Sequence, residues 1–200
     1  MSGNTPLSSQ TVGGALGHWL RRGIHIAMIF IPVGYYYWGD IIASWFGLLP
    51  QQFITVLLGL IIIGEMWRLK KGYVIFGQRQ HEADHICSFA WGAISMCLVL
   101  LLVPQDIYAI PLVGGCALGD PIIGELKRFI GWWAAALVAM IVIGLLWWLC
   151  LRWMPQLPMW LPLLIAPITV LAEKPNLRWI DDNALMQLIP LMLLMSLIYL

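Results

Sequence analysis

Charged side chains are scarce in this 200-residue chain, at 10% of residues against 61% hydrophobic, whereas soluble domains carry charge on about a quarter of theirs. That scarcity excludes a soluble globular protein. The length leaves no room for a separate soluble domain beside the apolar runs. Cysteine is sparse too, and Cys87, Cys97, Cys116 and Cys150 fall in or beside apolar runs without metal-ligand spacing, which makes them packing residues. Neither a Walker A loop nor a kinase glycine-rich loop occurs, so a soluble-type nucleotide fold is excluded. The polar start lacks a small-residue cleavage site, so no cleavable signal peptide is expected. A net charge of +1 gives no basis for a nucleic-acid partner.

Apolar runs are what the chain has in abundance. They cover about 24–38, 53–67, 86–103, 107–120, 129–148, 160–171 and 184–200. At about 20 residues per crossing they predict an all-α, polytopic transmembrane bundle of about seven spans. Residues 1–17 are expected to form a flexible tail and 18–200 a single transmembrane domain, which is the catalytic domain if the chain is an enzyme. Lys and Arg near the span ends set the orientation. Arg21, Arg22, Arg68, Lys70, Lys71, Arg79, Lys127, Arg128, Lys174 and Arg178 fall on one side and Arg152 on the other, which places the N-terminus inside. The expected location is the cytoplasmic (inner) membrane, multi-pass.

The segment 114–128 breaks its apolar run with Gly114, Gly115, Gly119 and Gly124 and with an acid, Asp120. An ionisable side chain at membrane depth costs about 2.5–3.5 kcal/mol on insertion scales, so it has a partner or a job. Asp120 is then either the ion-pair partner of an arginine at a close helix crossing, or part of a site for a cation or for a phosphate held through one. Nearly every other unusual polar residue falls on the same side: Arg22, His25, Glu65, Arg68, Glu82, Lys127, Glu173, Asp182 and Asn183. One cytoplasm-facing site at the membrane surface is expected, open to a soluble reactant and laterally to lipid. Mixed carboxylates and cations suit a metal-bridged polyanion, and phosphoryl transfer needs that inventory of charge neutralisation, positioning and a base. His81, Glu82 and His85 also permit a metal reading, but without the His-Glu-x-x-His order a solvated face accounts for them better.

Arg21, Arg22 and His25 before the first span, the Gly119-Asp120 step, and Glu173 followed by Asp181, Asp182 and Asn183 before the last span resemble the dolichol kinase, phytol kinase and CTP-dependent diacylglycerol kinase family. The resemblance covers most of the chain. It implies a membrane enzyme that moves the terminal phosphate of CTP, or another nucleoside triphosphate, to a lipid alcohol with Mg²⁺. Carried onto this sequence, it implies catalytic roles for Asp120, Glu173, Asp182 and His25, with Asp120, Asp182 and Glu173 on the metal. Arg21, Arg22, Arg68, Lys127, Arg128, Asn183 and Gly119 would bind nucleotide and phosphate, supported by Glu65 and Glu82. Two departures stand out: Glu125, Lys127 and Arg128 run almost directly into the fifth span where the family has a longer basic segment, and Pro190 lies farther from Asn183 than the family's proline. A CTP-dependent phosphatidate cytidylyltransferase ranks second, lacking its usual C-terminal signature here. A transporter and a non-catalytic membrane protein are the readings from other classes.

Overall fold

A computed structural model describes residues 11–154, 156–175, 177 and 179–199. The fold is all-helical. Among the described residues eight α-helices follow in order: α1 Gly14–Ala27, α2 Phe30–Ser44, α3 Pro50–Lys71, α4 Ser88–Leu102, α5 Ala109–Ile130, α6 Trp132–Cys150, α7 Leu161–Leu171 and α8 Asp182–Tyr199, with short 3-10 turns at Gln80–Ala83, Asp106–Tyr108 and Leu151–Trp153.

By length and composition α3, α8 and the stretches Asp106–Ile130 and Trp132–Trp153 can each cross a bilayer, and the α1–α2 pair, bent by 46°, makes a fifth candidate if it counts as one span. The other two expected runs are short helices, α4 with 15 residues and α7 with 11, below the roughly 20 that a crossing needs. Large apolar side chains such as Trp45, Leu60, Ile63, Phe129, Leu163 and Met192 stand exposed around the outside. An apolar surface of that extent belongs in hydrocarbon.

Several sequence boundaries shift, each for a local reason. Helix begins at Gly14, inside the stretch expected to be a tail; the first ten residues of that stretch lie outside the described residues. Gly13 starts this helix at φ +90°, and the Phe76 ring occupies the space a Cβ would need there, so the position requires glycine. Helix α3 opens with Pro50 at its first position and Gln52 accepting the Leu49 N–H at 3.0 Å. It closes at Gly72 with φ +66°, after Arg68, Lys70 and Lys71 in its last turn, the residues that favour a helix C-terminus.

The largest correction concerns the fourth run. It does not end at Asp120: α5 continues through Pro121 to Ile130, and α6 starts only at Trp132. Inside a membrane bundle packing outweighs the proline's missing N–H. Helix α5 is the buried centre, touching α1, α2, α4, α6, α7 and α8. Its glycines are approach points for neighbours rather than a break, since a Cβ on Gly119 would lie 2.9 Å from both Ile143 of α6 and Met186 of α8. Small residues serve this purpose between membrane helices. All four cysteines are free and buried, as their place in apolar runs implied.

Candidate functional site

At one end of the bundle three polar clusters meet. The first folds the loop 72–87 back over the end of α3. Glu65 and Arg68, one helical turn apart, form a two-pronged ion pair with both contacts at 2.8 Å. Arg68 also donates to the carbonyls of Tyr73 (2.7 Å), Glu82 (2.8 Å) and His85 (2.7 Å), which uses its full complement of N–H donors. Glu65 in turn accepts the Cys87 N–H at 2.7 Å. Arg68, expected to hold phosphate, has no donor left for one, and both residues shape the loop.

The second cluster ties α1 to α5. Arg22 donates from Nη1 to Asp120 at 2.7 Å and from Nε to Glu125 at 3.2 Å. His18 Nε2 lies 3.2 Å from Glu125, and Arg128 reaches the same carboxylate at 3.3 Å. His25 is buried with Nε2 3.2 Å from the Cys116 carbonyl oxygen and 3.7 Å from Asp120. Gly124 makes the crossing possible, because a Cβ there would occupy the place of the Arg22 guanidinium. Asp120 is thus the partner of a buried arginine, the first of the two roles its sequence context allowed. Asp120→Asn is expected to leave Arg22 with only the longer Glu125 ion pair and, at best, a neutral amide oxygen in place of the Asp120 carboxylate. Removing one partner of a buried pair costs about 3–5 kcal/mol, and the surviving contact places the loss near the lower figure. Thermal unfolding indistinguishable from the parent would contradict this.

The third cluster lines a cleft of about 950 Å³ between the loop 72–87, the α5–α6 corner and the α7–α8 connection. Arg79, Glu82 and Ser88 stand on one wall, Lys127 and Trp132 on another, and Glu173, Lys174, Asp181 and Asp182 on the third. Leu69, Trp91, Leu177, Trp179 and Ile180 give it an apolar side. Glu173 accepts from Lys127 Nζ at 3.1 Å and from the Trp132 indole at 2.9 Å. The Lys174 ammonium sits 4.6 Å from the Trp133 ring centre and 5.2 Å from that of Trp132, in cation–π range. Glu82 accepts the Ser88 hydroxyl at 3.0 Å, Arg21 at 3.3 Å and the Arg79 backbone N–H at 3.2 Å.

Asp181 caps α8 by accepting the Asn183 N–H at 3.1 Å, and its other oxygen is 2.7 Å from the Ser88 hydroxyl. Burial raises its pKa, but hydrogen bonds with Asp182, Ser88 and the Asn183 N–H outweigh that and hold it below the ordinary carboxylate value. The Asp181 and Asp182 carboxyls lie side by side and interact directly. Asp182 also stands within electrostatic range of Asp120 and Glu173.

Of the residues singled out in the sequence, Glu82, Lys127, Glu173 and Asp182 line the cleft, while Asp120, His25, Arg22, Glu65 and Arg68 lie behind it. Arg21 reaches it only through Glu82 and stacks over the Phe89 ring at 5.7 Å. Asn183 faces inward, with Cys116 Sγ 3.5 Å from its carbonyl oxygen, and Gly119 serves packing. His85 pairs with Asp84 at 2.7 Å. Among the described residues no three His, Cys, Asp or Glu side chains converge as a metal-ligand set. Asp120, Asp182 and Glu173 therefore do not form an all-protein cage. Mg²⁺ needs none, being usually held by one or two carboxylates with water and substrate phosphates, and Asp182 and Glu173 in the cleft fit that pattern.

Arg79, Lys174, Ser88 and Asp181 are cleft residues to which the sequence had given no role. Asp181 carried a signal, an acid directly before an apolar helical run. No family model, curated protein or solved structure matches this chain.

Proposed function

We propose that this chain is a membrane-embedded lipid-alcohol kinase. It would transfer the terminal phosphate of CTP or another nucleoside triphosphate to the hydroxyl of a polyprenol-, phytol- or diacylglycerol-type lipid, with Mg²⁺. One observation carries the proposal: a single cleft at the polar end of an apolar bundle brings Glu82, Glu173, Asp181 and Asp182 together with Arg79, Lys127 and Lys174 beside an apolar side. Carboxylates beside cations suit a metal-bound polyphosphate, and the apolar side suits the acceptor's tail.

In this mechanism the lipid oxygen bonds to the terminal phosphorus while the bridging P–O bond breaks, and the nucleoside diphosphate leaves. The hydroxyl proton passes to the Asp181–Asp182 pair. Asp182 is the acceptor, because Asp181 takes the Ser88 hydroxyl in addition to the Asn183 N–H that both carboxylates share. Lys127 and Lys174 neutralise charge on the phosphate oxygens. Asp182 and Glu173 would hold Mg²⁺, which would add to the charge neutralisation of the phosphates. His25, Arg22 and Asp120 fix α1 against α5 behind the acids and act as positioning residues.

Seven crossings with the N-terminus inside belong to the same proposal, with α4 and α7 as short crossings. Arg21, Arg22, Arg68, Arg79, Lys127 and Lys174 are drawn to one end by the three clusters, whereas Arg152 lies over Trp148 beyond the far end of α6. Arg178 lies outside the described residues. In intact cells an impermeant thiol reagent should label Gln105→Cys and leave Lys71→Cys untouched. The reverse pattern would invert the topology.

The direct test is transfer of labelled terminal phosphate from each nucleoside triphosphate into extractable lipid. A nucleotide with Mg²⁺ should also raise the unfolding temperature, as any ligand of the folded state does. No shift at millimolar nucleotide in a folded preparation, with no labelled lipid, would sink the kinase.

A further inference from the structure

The cations around the cleft are almost all taken. Lys127 is held by Glu173, Lys174 by two indole rings and His85 by Asp84. Behind them Arg21 is held by Glu82, Arg22 by Asp120 and Glu125, and Arg68 by Glu65 and three carbonyls. Among the described residues Arg79 is the one cleft-lining cation whose side chain makes no hydrogen bond, ion pair or ring contact.

Its backbone, by contrast, is firmly held. Arg79 pairs with Thr11 in a short antiparallel bridge, flanked by Val12 N–H to Gln78 O at 2.9 Å and Gly77 N–H to Val12 O at 3.0 Å. Its own N–H is bonded to Glu82. Arg79 therefore stands on a fixed backbone between two spaces, the main cleft and a small niche lined by Thr11, His18, Arg21 and Arg22. Burial, followed by repulsion from Arg21, pushes the Arg79 pKa below the ordinary arginine value, although Glu82, Asp182 and Asp181 oppose this. The charge is under-compensated where it stands. Holding a half-buried cation without a partner costs free energy, and a planar fork of donors matches phosphate oxygens two at a time.

We infer that Arg79 is the anion-receiving arm of the cleft, binding a phosphate or diphosphate group beside the Asp181–Asp182 pair, with Arg21 as the positive charge flanking it. For its place in a reaction this rests on the kinase proposal; as a binding site it does not. The recognised chemistry is a phosphate group, carried by a nucleotide or by an anionic lipid headgroup.

The test uses the full chain, as parent, Arg79→Gln and Arg79→Lys, with inorganic pyrophosphate in detergent and with phosphatidic acid in nanodiscs. Without anion, Arg79→Gln should unfold at the parent temperature or above it, because no partner is left stranded. The pyrophosphate concentration for half-maximal stabilisation should rise about ten- to hundredfold, the loss expected for one charge-assisted hydrogen-bonded group, with Arg79→Lys between. If only phosphatidic acid stabilises the parent, and Arg79→Gln abolishes that, the site takes a lipid headgroup. An unchanged anion response in Arg79→Gln overturns the inference, as does a parent that responds to neither probe. Lipid phosphorylation with an unaltered nucleotide KM in Arg79→Gln sinks the inference and leaves the kinase standing. Arg79-dependent pyrophosphate binding without any lipid phosphorylation does the opposite.

Discussion

Arg68→Ala should be the most destabilising single substitution at the polar end, by about 3–5 kcal/mol, the usual result of leaving a buried charge without its partner. Glu65 would keep a buried carboxylate with only the Cys87 N–H and thiol against it, and the carbonyls of Tyr73, Glu82 and His85 would lose their shared donor. The damage should be local first. Limited proteolysis should cut within 72–87 well below the unfolding temperature, and cleft ligands should bind more weakly because Glu82 and Arg79 sit on that loop. Replacing both Glu65 and Arg68 by leucine should recover part of the loss, since no charge is then stranded, but not all of it, since the carbonyls stay unpaired. Unfolding in detergent with a loss under about 1 kcal/mol, the range of an exposed pair, would show that the pair does not organise the loop.

The largest catalytic effect is expected at Asp182. If its carboxylate takes the proton from the acceptor, Asp182→Asn should lower turnover about 10²–10⁴-fold, the range for general acid–base catalysis, with the fold intact. Ser88→Ala, which removes a hydroxyl placed between Asp181 and Glu82, should cost far less. The two roles assigned to acids then separate cleanly: Asp120→Asn should lose stability first, Asp182→Asn activity first. Measuring labelled lipid and thermal unfolding on the same preparations decides this. Near-normal turnover in Asp182→Asn would remove the base from the mechanism.

Helical class and membrane character were legible because they depend on composition and run length alone. The gathering of polar residues at one end was legible too, since helix ends are fixed by where the runs stop. What a single sequence does not carry is which faces of two helices meet. Asp120 stood out as the lone acid in its run, yet its role depends on α1 crossing α5 at Gly124, a contact between residues about a hundred positions apart in the chain. Arg79 was passed over for the converse reason. In a charged loop it looks solvated, and only the packing of Thr11–Gly13 against 77–79 encloses it. The run of helix through Pro121 was hidden because proline and glycine punctuate soluble chains more strongly than they do a tightly packed membrane helix.

The bridge between Thr11 and Arg79 also bears on how the protein is best handled. Because these backbones are paired, Thr11 is fixed beside Arg79. A bulky side chain introduced at Thr11 would therefore press on the proposed anion arm. Helix α8 ends at Tyr199, 17 positions beyond Asp182 along the helix, so a fusion at the C-terminus lies at the opposite end of the bundle. Ligand-binding work should therefore place tags at the C-terminus, with Thr11→Trp kept as a steric probe of the cleft.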